Sequence, residues 1–248
     1  AVILIPLAAV VLRPWSDGLG GFVAILTSPR VWAALKLSYG MAAIAALLNT
    51  CFGLVVAWTL TRYRFPLRRV VDSVIDLPFA LPTSVAGIAL SALYAQSGWL
   101  GAPLARIGIQ VSYSRLGILI ALVFIGLPFI VRTVEPVLAE MPPDAEEAAA
   151  TLGATRYQTL IRVVLPALAP ALLTGSTLAF ARAVGEYGSV IFIAGNLPMV
   201  SEIAPLLIVI KLEEFDYAGA SAIGVMMLFT SLSILFALNA LQRRLARR

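Results

Sequence analysis

The chain has 248 residues, of which 60% are hydrophobic and only 12% charged, and its mean hydropathy of +0.96 excludes an ordinary water-soluble domain. Apolar runs of roughly 20 residues suit helices crossing a hydrocarbon core of about 30 Å, and they exclude the alternating segments of about ten residues that a membrane barrel needs. The net charge of +5 gathers in Arg62, Arg64, Arg68 and Arg69 and in Arg243, Arg244, Arg247 and Arg248, each cluster beside an apolar run, so it marks cytoplasmic ends of spans and not a nucleic-acid surface.

Ala1 to Leu12 is apolar but about half the length of a span, so the numbering is expected to begin inside a first helix. Arg13 to Arg30, with Pro14, Asp17 and Pro29, reads as a loop. Val31 to Thr61 is a second span, running inward to the arginine cluster. The lone Cys51 on it excludes an internal disulfide and is assigned to buried packing. Val70 to Gln96 is a third span, bent or broken by Pro78 and Pro82, each of which removes a backbone donor. Asp72 and Asp76 near its inner end are expected to cap helices or pair with Arg68 and Arg69. Ser97 to Arg115 reads as an external loop with a short helix, and Leu116 to Val134 as a fourth span.

Glu135 to Val164 is a polar interlude. Leu165 to about Ala194 forms a fifth span, long enough to be tilted or broken. Gly195 to Tyr217 is an external loop whose apolar patch, Leu206 to Ile210, is too short to cross and is expected to lie at or dip into the interface. Ala218 to Leu241 is the last span. An even number of spans puts both termini in the cytoplasm, with Arg132, Arg156 and Arg162 on the same side. The expected architecture is all-α and polytopic, one transmembrane domain over 1–248 with about six helices, the first truncated, and one cytoplasmic loop at about 135–164.

The interlude carries the strongest local signals. Asp144 and Glu147 are spaced as a capping box, with Pro143 setting the entry of the chain. Gly153 is placed to stop that helix, and Thr155 with Gln158 forms a second box, so two short helices are expected to meet at Gly153. Ala148, Ala149 and Ala150 make the first helix flat enough to seat deeply in a groove of another protein. A capped surface turn with no partner has the same local chemistry.

Glu147-Ala148-Ala149, Gly153, Val163 and Leu165-Pro166 stand at the spacing of the EAA motif of ABC importer permeases, with Val163 in place of the usual Ile. The stretches Asp76 to Thr83, Phe124 to Phe129, Ala181 to Asn196 and Ser201 to Leu207 resemble the T-subunit family of sulfate/thiosulfate permeases. That resemblance implies the type I ABC importer permease fold, with Glu147, Ala148, Ala149, Gly153, Leu165 and Pro166 coupling the chain to an ATPase. It implies as partners a second, W-type permease, two cytoplasmic ATPase subunits, an external sulfate/thiosulfate-binding protein and the bilayer of a bacterial-type inner membrane. ATP would be bound by the ATPase partner and no cofactor by this chain, which lacks a Gly-rich phosphate loop. Molybdate and other oxyanion importers are the nearest alternative. An ATP-independent transporter is the more distant one, and it leaves the capped helix pair without a purpose.

Arg182 and Glu186 lie four residues apart on one face of the fifth span. Arg182 is about 25 Å along that span if it starts at Leu165, hence in the outer half of the membrane. Two readings stand: a structural ion pair between helices, or a lining of an anion path in which Arg182 offsets the charge of the anion and Glu186 limits how tightly it is held. Pro78 and Pro82, followed by Thr83 and Ser84, likewise read either as a kink satisfied by neighbouring helices or as irregular backbone facing the path. Histidine is absent, and no arrangement suited to catalysis or to a metal is present.

Overall fold

The computed structural model describes residues 4–142 and 144–245. All regular elements among them are helical: α1 (Leu4–Leu12), a 3-10 turn (Arg13–Asp17), α2 (Gly18–Thr27), α3 (Pro29–Arg62), α4 (Arg68–Ile75), α5 (Leu77–Ala80), α6 (Thr83–Tyr94), α7 (Gly101–Arg106) and α8 (Arg115–Glu140). The chain continues through α9 (Asp144–Thr151), α10 (Arg156–Thr159), a π turn (Leu160–Val164), α11 (Leu165–Val184), α12 (Val190–Ile193), α13 (Ala204–Glu213) and α14 (Tyr217–Leu245).

Four helical stretches among the described residues are long and apolar enough to cross a membrane: Pro29–Arg62, Arg115–Glu140, Arg156–Val184 and Tyr217–Ala240. Of the other two expected spans, the truncated first helix contains α1, and Val70 to Gln96 is broken at its prolines as expected. Val70 to Gln96 is three pieces, α4, α5 and α6, because Pro78 enters at the start of α5 and Pro82 is the extended residue before α6. Each proline lacks the N–H that would carry one helix into the next. Arg13 to Arg30 is not a loop: the 3-10 turn and α2 fill it and pack on α14. The fifth span ends at Val184, short of the expected Ala194, and α12 resumes as a single turn.

The centre of the molecule is the mutual packing of α3, α8 and α11. Lipid tails are as apolar as leucine, so these helices hold together by close contact and not by escape from water. Small residues supply the closeness. Ala42, Ala45 and Ala57 on α3 are fully buried, as is Ile130 on α8. A Cβ on Gly53 would fall 2.6 Å from Cγ2 of Ile130, and one on Gly175 of α11 would fall 3.1 Å from the Ile130 Cα. Hydroxyls tie the same helices, with Thr50 and Ser176 sharing a hydrogen bond of 2.5 Å. Cys51, expected in the core, is exposed instead: it follows Asn49 and Thr50, which take the inward face, and its turn of α3 presents it outward.

Ion pairs fix the ends. Arg132 on α8 binds Asp76 through two contacts of 2.9 and 2.7 Å, Asp72 at 2.7 Å and Glu135 at 2.8 Å. Asp72 and Asp76 therefore pair with Arg132 and not with Arg68 and Arg69, which docks the broken α4–α5 segment onto α8. At the other end α13 packs between α3 and α14, burying Ala204, Leu206 and Leu207. The expected interfacial helix is thus part of the packed body. Asp216 caps α14 by accepting from the Gly219 N–H at 2.7 Å, and Lys211 meets Glu214 at 2.9 Å and Asp216 at 3.1 Å. The bond to Glu214 leads in raising the Lys211 pKa. Burial pushes the Asp216 carboxyl up, but the Gly219 N–H and Lys211 outweigh it and hold its pKa below the usual value.

Candidate functional site

Two groups of residues carry the chemistry. The first is the elbow of α9 and α10. Asp144, Glu146 and Glu147 fall in the first turn of α9, where carboxylates complement the positive end of the helix dipole. Asp144 is itself the first helical residue, so the expected Asp144–Glu147 box is replaced by this first-turn arrangement; Pro143 lies outside the described residues. The other end is as the sequence predicts. Gly153 has φ +80°, and the N–H groups of Gly153 and Ala154 return to the carbonyls of Ala150 and Ala149, both at 3.0 Å. This double closure is a Schellman ending, which requires a left-handed residue. Thr155 and Gln158 then form a complete capping box at 2.8 and 3.3 Å.

Beyond that box the expected second short helix is not a separate piece. From Arg156 the helix continues to Val184 through the π turn, in which the Leu165 N–H bonds to the Leu160 carbonyl. Pro166 explains the widening: it cannot donate to the Arg162 carbonyl, and its ring crowds that oxygen. The elbow is therefore joined without a break to a helix of the three-helix core. Glu147, Ala148 and Gly153 are exposed and Ala149 half-buried, so the structure gathers them on one free element. Leu165 and Pro166 lie beyond the π turn, on the supporting helix and not on the exposed face. Leu152, at 88% exposure, and Tyr157, at 70%, add large apolar surface to the elbow that motif reasoning did not single out. Arg62, at the end of α3, meets Glu146 at 2.5 Å, and its guanidinium lies over the Trp58 ring, 5.6 Å from the centroid.

The second group surrounds the end of α11. Arg182 pairs with Glu186 at 2.6 Å, and the Glu186 side chain is 2% exposed while that of Arg182 is 35% exposed. Glu186 also accepts from the Ser189 N–H at 2.9 Å and the Ser189 hydroxyl at 3.0 Å. Its carboxylate thus organises the turn between α11 and α12. That turn packs on the start of α6: a Cβ on Gly188 would collide with the Thr83 hydroxyl, and one on Gly87 would lie 2.7 Å from the Ser189 Cα. Thr83 and the Arg182–Glu186 turn therefore meet. Pro82 precedes α6, Ser84 follows Thr83 and is exposed, and the first backbone bond of α6 runs from Ala86 to Pro82, at 3.1 Å. Pro78 is apart from this group, in α5, whose Phe79 ring stands edge-on to Phe129 at 5.2 Å.

The guanidinium of Arg182 is half-open but paired with Glu186, and the turn that follows this pair packs on the N-terminal end of α6. The buried Glu186 is already compensated by Arg182 and Ser189, so it serves as an internal strut. Among the described residues no cluster of His, Cys, Asp or Glu has the makings of a metal site.

The chain is thus a helical body with four membrane-length helices among the described residues and an exposed, alanine-faced elbow. Residues 49–248 match the family of binding-protein-dependent transport system inner membrane components, and the chain belongs to that family. It is 49% identical over 247 residues to the sulfate transport system permease protein CysT of Escherichia coli, covering 100% of this chain and 89% of that one. It is 50% identical over 241 residues to the protein of the same name from Synechococcus elongatus, covering 97% and 87%. The fold is shared with a bacterial ABC transporter involved in the import of the acidic polysaccharide alginate, at a TM-score of 0.80 and 17% identity over 98% of this chain and 90% of that one. The chain is a transport subunit of an ABC importer, an integral membrane protein, and ATP hydrolysis belongs to a separate partner.

Proposed function

We propose that this chain is the T-type permease of a sulfate/thiosulfate importer, and that the elbow of α9 and α10 is the handle by which cytoplasmic ATPase subunits move it. The observation that carries the reading is the Schellman ending at Gly153, followed by a capped helix that runs unbroken into α11. A push on α9 is delivered to the three-helix core without passing through a flexible loop. Exposed Glu147, Ala148, Leu152 and Tyr157 offer a small, flat and partly apolar surface suited to a groove on a partner.

In this reading a W-type permease completes the path, an external sulfate/thiosulfate-binding protein delivers the anion, and two ATPase subunits bind ATP on the cytoplasmic side, where both termini lie. Closure of the ATPases on ATP pulls α9, and hydrolysis resets it. Arg182, Thr83 and Ser84 line the path, giving positive potential and hydrogen-bond donors without the closed cage that would trap a dianion. Glu186 holds Arg182 in place.

The test is uptake of radiolabelled sulfate, thiosulfate or molybdate into vesicles holding the assembled transporter, each anion supplied on its own binding protein in turn. ATP-dependent sulfate uptake is expected. Uptake of molybdate alone would reassign the substrate, and sulfate uptake with an inactive ATPase would overturn the coupling role.

A further inference from the structure

A groove of about 660 Å³ lies between the end of α3 and the side of the elbow that faces the core. Its lining changes character along its length. The deep end is apolar, with Leu54 and Val55 on one wall and Leu160 and Val164 on the other. The mouth is polar, with Tyr63, Glu146 and Arg156. Trp58 stands between the two ends, and both walls belong to helices long and apolar enough to cross a membrane. From Leu54 to Tyr63 the α3 wall is about 13 Å long at 1.5 Å per residue, close to the depth of one leaflet of a core about 30 Å thick.

The charges at the mouth do not cancel. Glu146 is held by Arg62 at 2.5 Å, whereas Arg156 makes no ion pair among the described residues. One positive charge therefore remains, beside a tyrosine and a tryptophan at the depth where such side chains sit at a membrane surface. Val55, 63% exposed within a membrane-crossing helix, opens the deep end to hydrocarbon.

We propose that this groove binds an anionic phospholipid, with an acyl chain along the Leu54–Val164 end and the phosphate against Arg156 and the Tyr63 hydroxyl. The amphiphile matches both ends at once. A cytoplasmic subunit reaches the mouth but not the hydrocarbon-level walls, and a free inorganic anion meets one guanidinium and an apolar trough. The bound lipid fills the space behind α9 and leaves the exposed face of the elbow available.

The assembled transporter, purified in mild detergent after exchange into nanodiscs of phosphatidylglycerol or of phosphatidylcholine, is examined by native mass spectrometry. Retention of phosphatidylglycerol over phosphatidylcholine is expected. Arg156→Gln should weaken it roughly fivefold, the effect of one basic residue near a charged surface, and Arg156→Lys should restore it. Millimolar inorganic phosphate should not displace the lipid. Equal retention by Arg156→Gln, or displacement by phosphate, overturns the proposal. A photo-crosslinker introduced at Val55 gives an independent reading that leaves Arg156 intact: a lipid adduct supports the proposal, and an adduct with a neighbouring polypeptide replaces lipid with a protein occupant.

Discussion

Arg30 and Glu202, separated by 172 positions, join in a two-point contact in which Nε and one terminal nitrogen of the guanidinium meet the two carboxylate oxygens at 2.8 and 2.7 Å. The Glu202 side chain is 1% exposed and that of Arg30 38%, so the pair pins the segment before α13 to the start of α3. Ser38 adds a second tie by accepting from the Ala204 N–H at 2.8 Å. Arg30→Ala strands a buried carboxylate and is expected to destabilise the chain by about 3 kcal/mol, the lower end of the range because the arginine is partly exposed. Replacing both residues by methionine should recover most of the loss. Thermal unfolding of the purified transporter checks both, and a single variant as stable as the double one would remove the pin.

Gly153→Val forces a β-branched residue to a φ of +80°, at a cost of about 1–2 kcal/mol. The helix ending opens and the elbow loses its fixed angle. ATP hydrolysis should persist while sulfate uptake per ATP falls, with membrane insertion unchanged. Gly153→Asn, which tolerates the left-handed region, should keep most of the coupling. Normal uptake by the valine variant would count against the handle.

Arg182→Gln separates the two roles of the pair at the end of α11. Glu186 keeps both Ser189 donors in the variant, so the turn is expected to hold and the complex to assemble. Uptake should fall roughly tenfold, equivalent to about 1.4 kcal/mol. Loss of the assembled complex instead of transport would make Arg182 a structural partner only.

The α13–α14 corner should respond to pH at its two extremes and not between them. Asp216 has a folded pKa lowered from 3.8, so its contribution is full above that value and is lost as pH falls through the lower folded one. Lys211 has a folded pKa raised from 10.5. Its contribution is full below that value and is lost as pH rises through the higher folded one. Asp216→Asn should cost about 1 kcal/mol near neutrality through the weakened cap and remove the acid limb. Hydrogen exchange at Ala220 to Gly224, measured across pH after correction for intrinsic rates, checks it.

The elbow is legible in the sequence because its signals are local. Glycine at a helix end, Thr155 three residues before Gln158, and the motif spacing all act within one or two turns. The Arg182–Glu186 pair is legible for the same reason, being one turn apart. Arg30–Glu202, Arg62–Glu146 and Arg132 with Asp72 and Asp76 are not, since each joins elements that only tertiary packing brings together. The break in Val70 to Gln96 is legible as well, because Pro78 and Pro82 each remove a backbone donor within a single apolar run. Cys51 is misplaced because an all-apolar helix in a bilayer gives no hydrophobic contrast between its inward and outward faces. The C-terminal pair Arg247 and Arg248, and the side chains of Arg243 and Arg244, lie outside the described residues.

The widened turn at Leu160–Val164 holds one residue more than an ordinary turn of helix. One residue corresponds to about 100° of rotation around a helix of 3.6 residues per turn. The extra residue therefore sets the heading of the elbow, relative to α11, more than a quarter circle away from that of an ordinary helix. The winding of this turn thus sets the direction in which the elbow leaves the axis of α11.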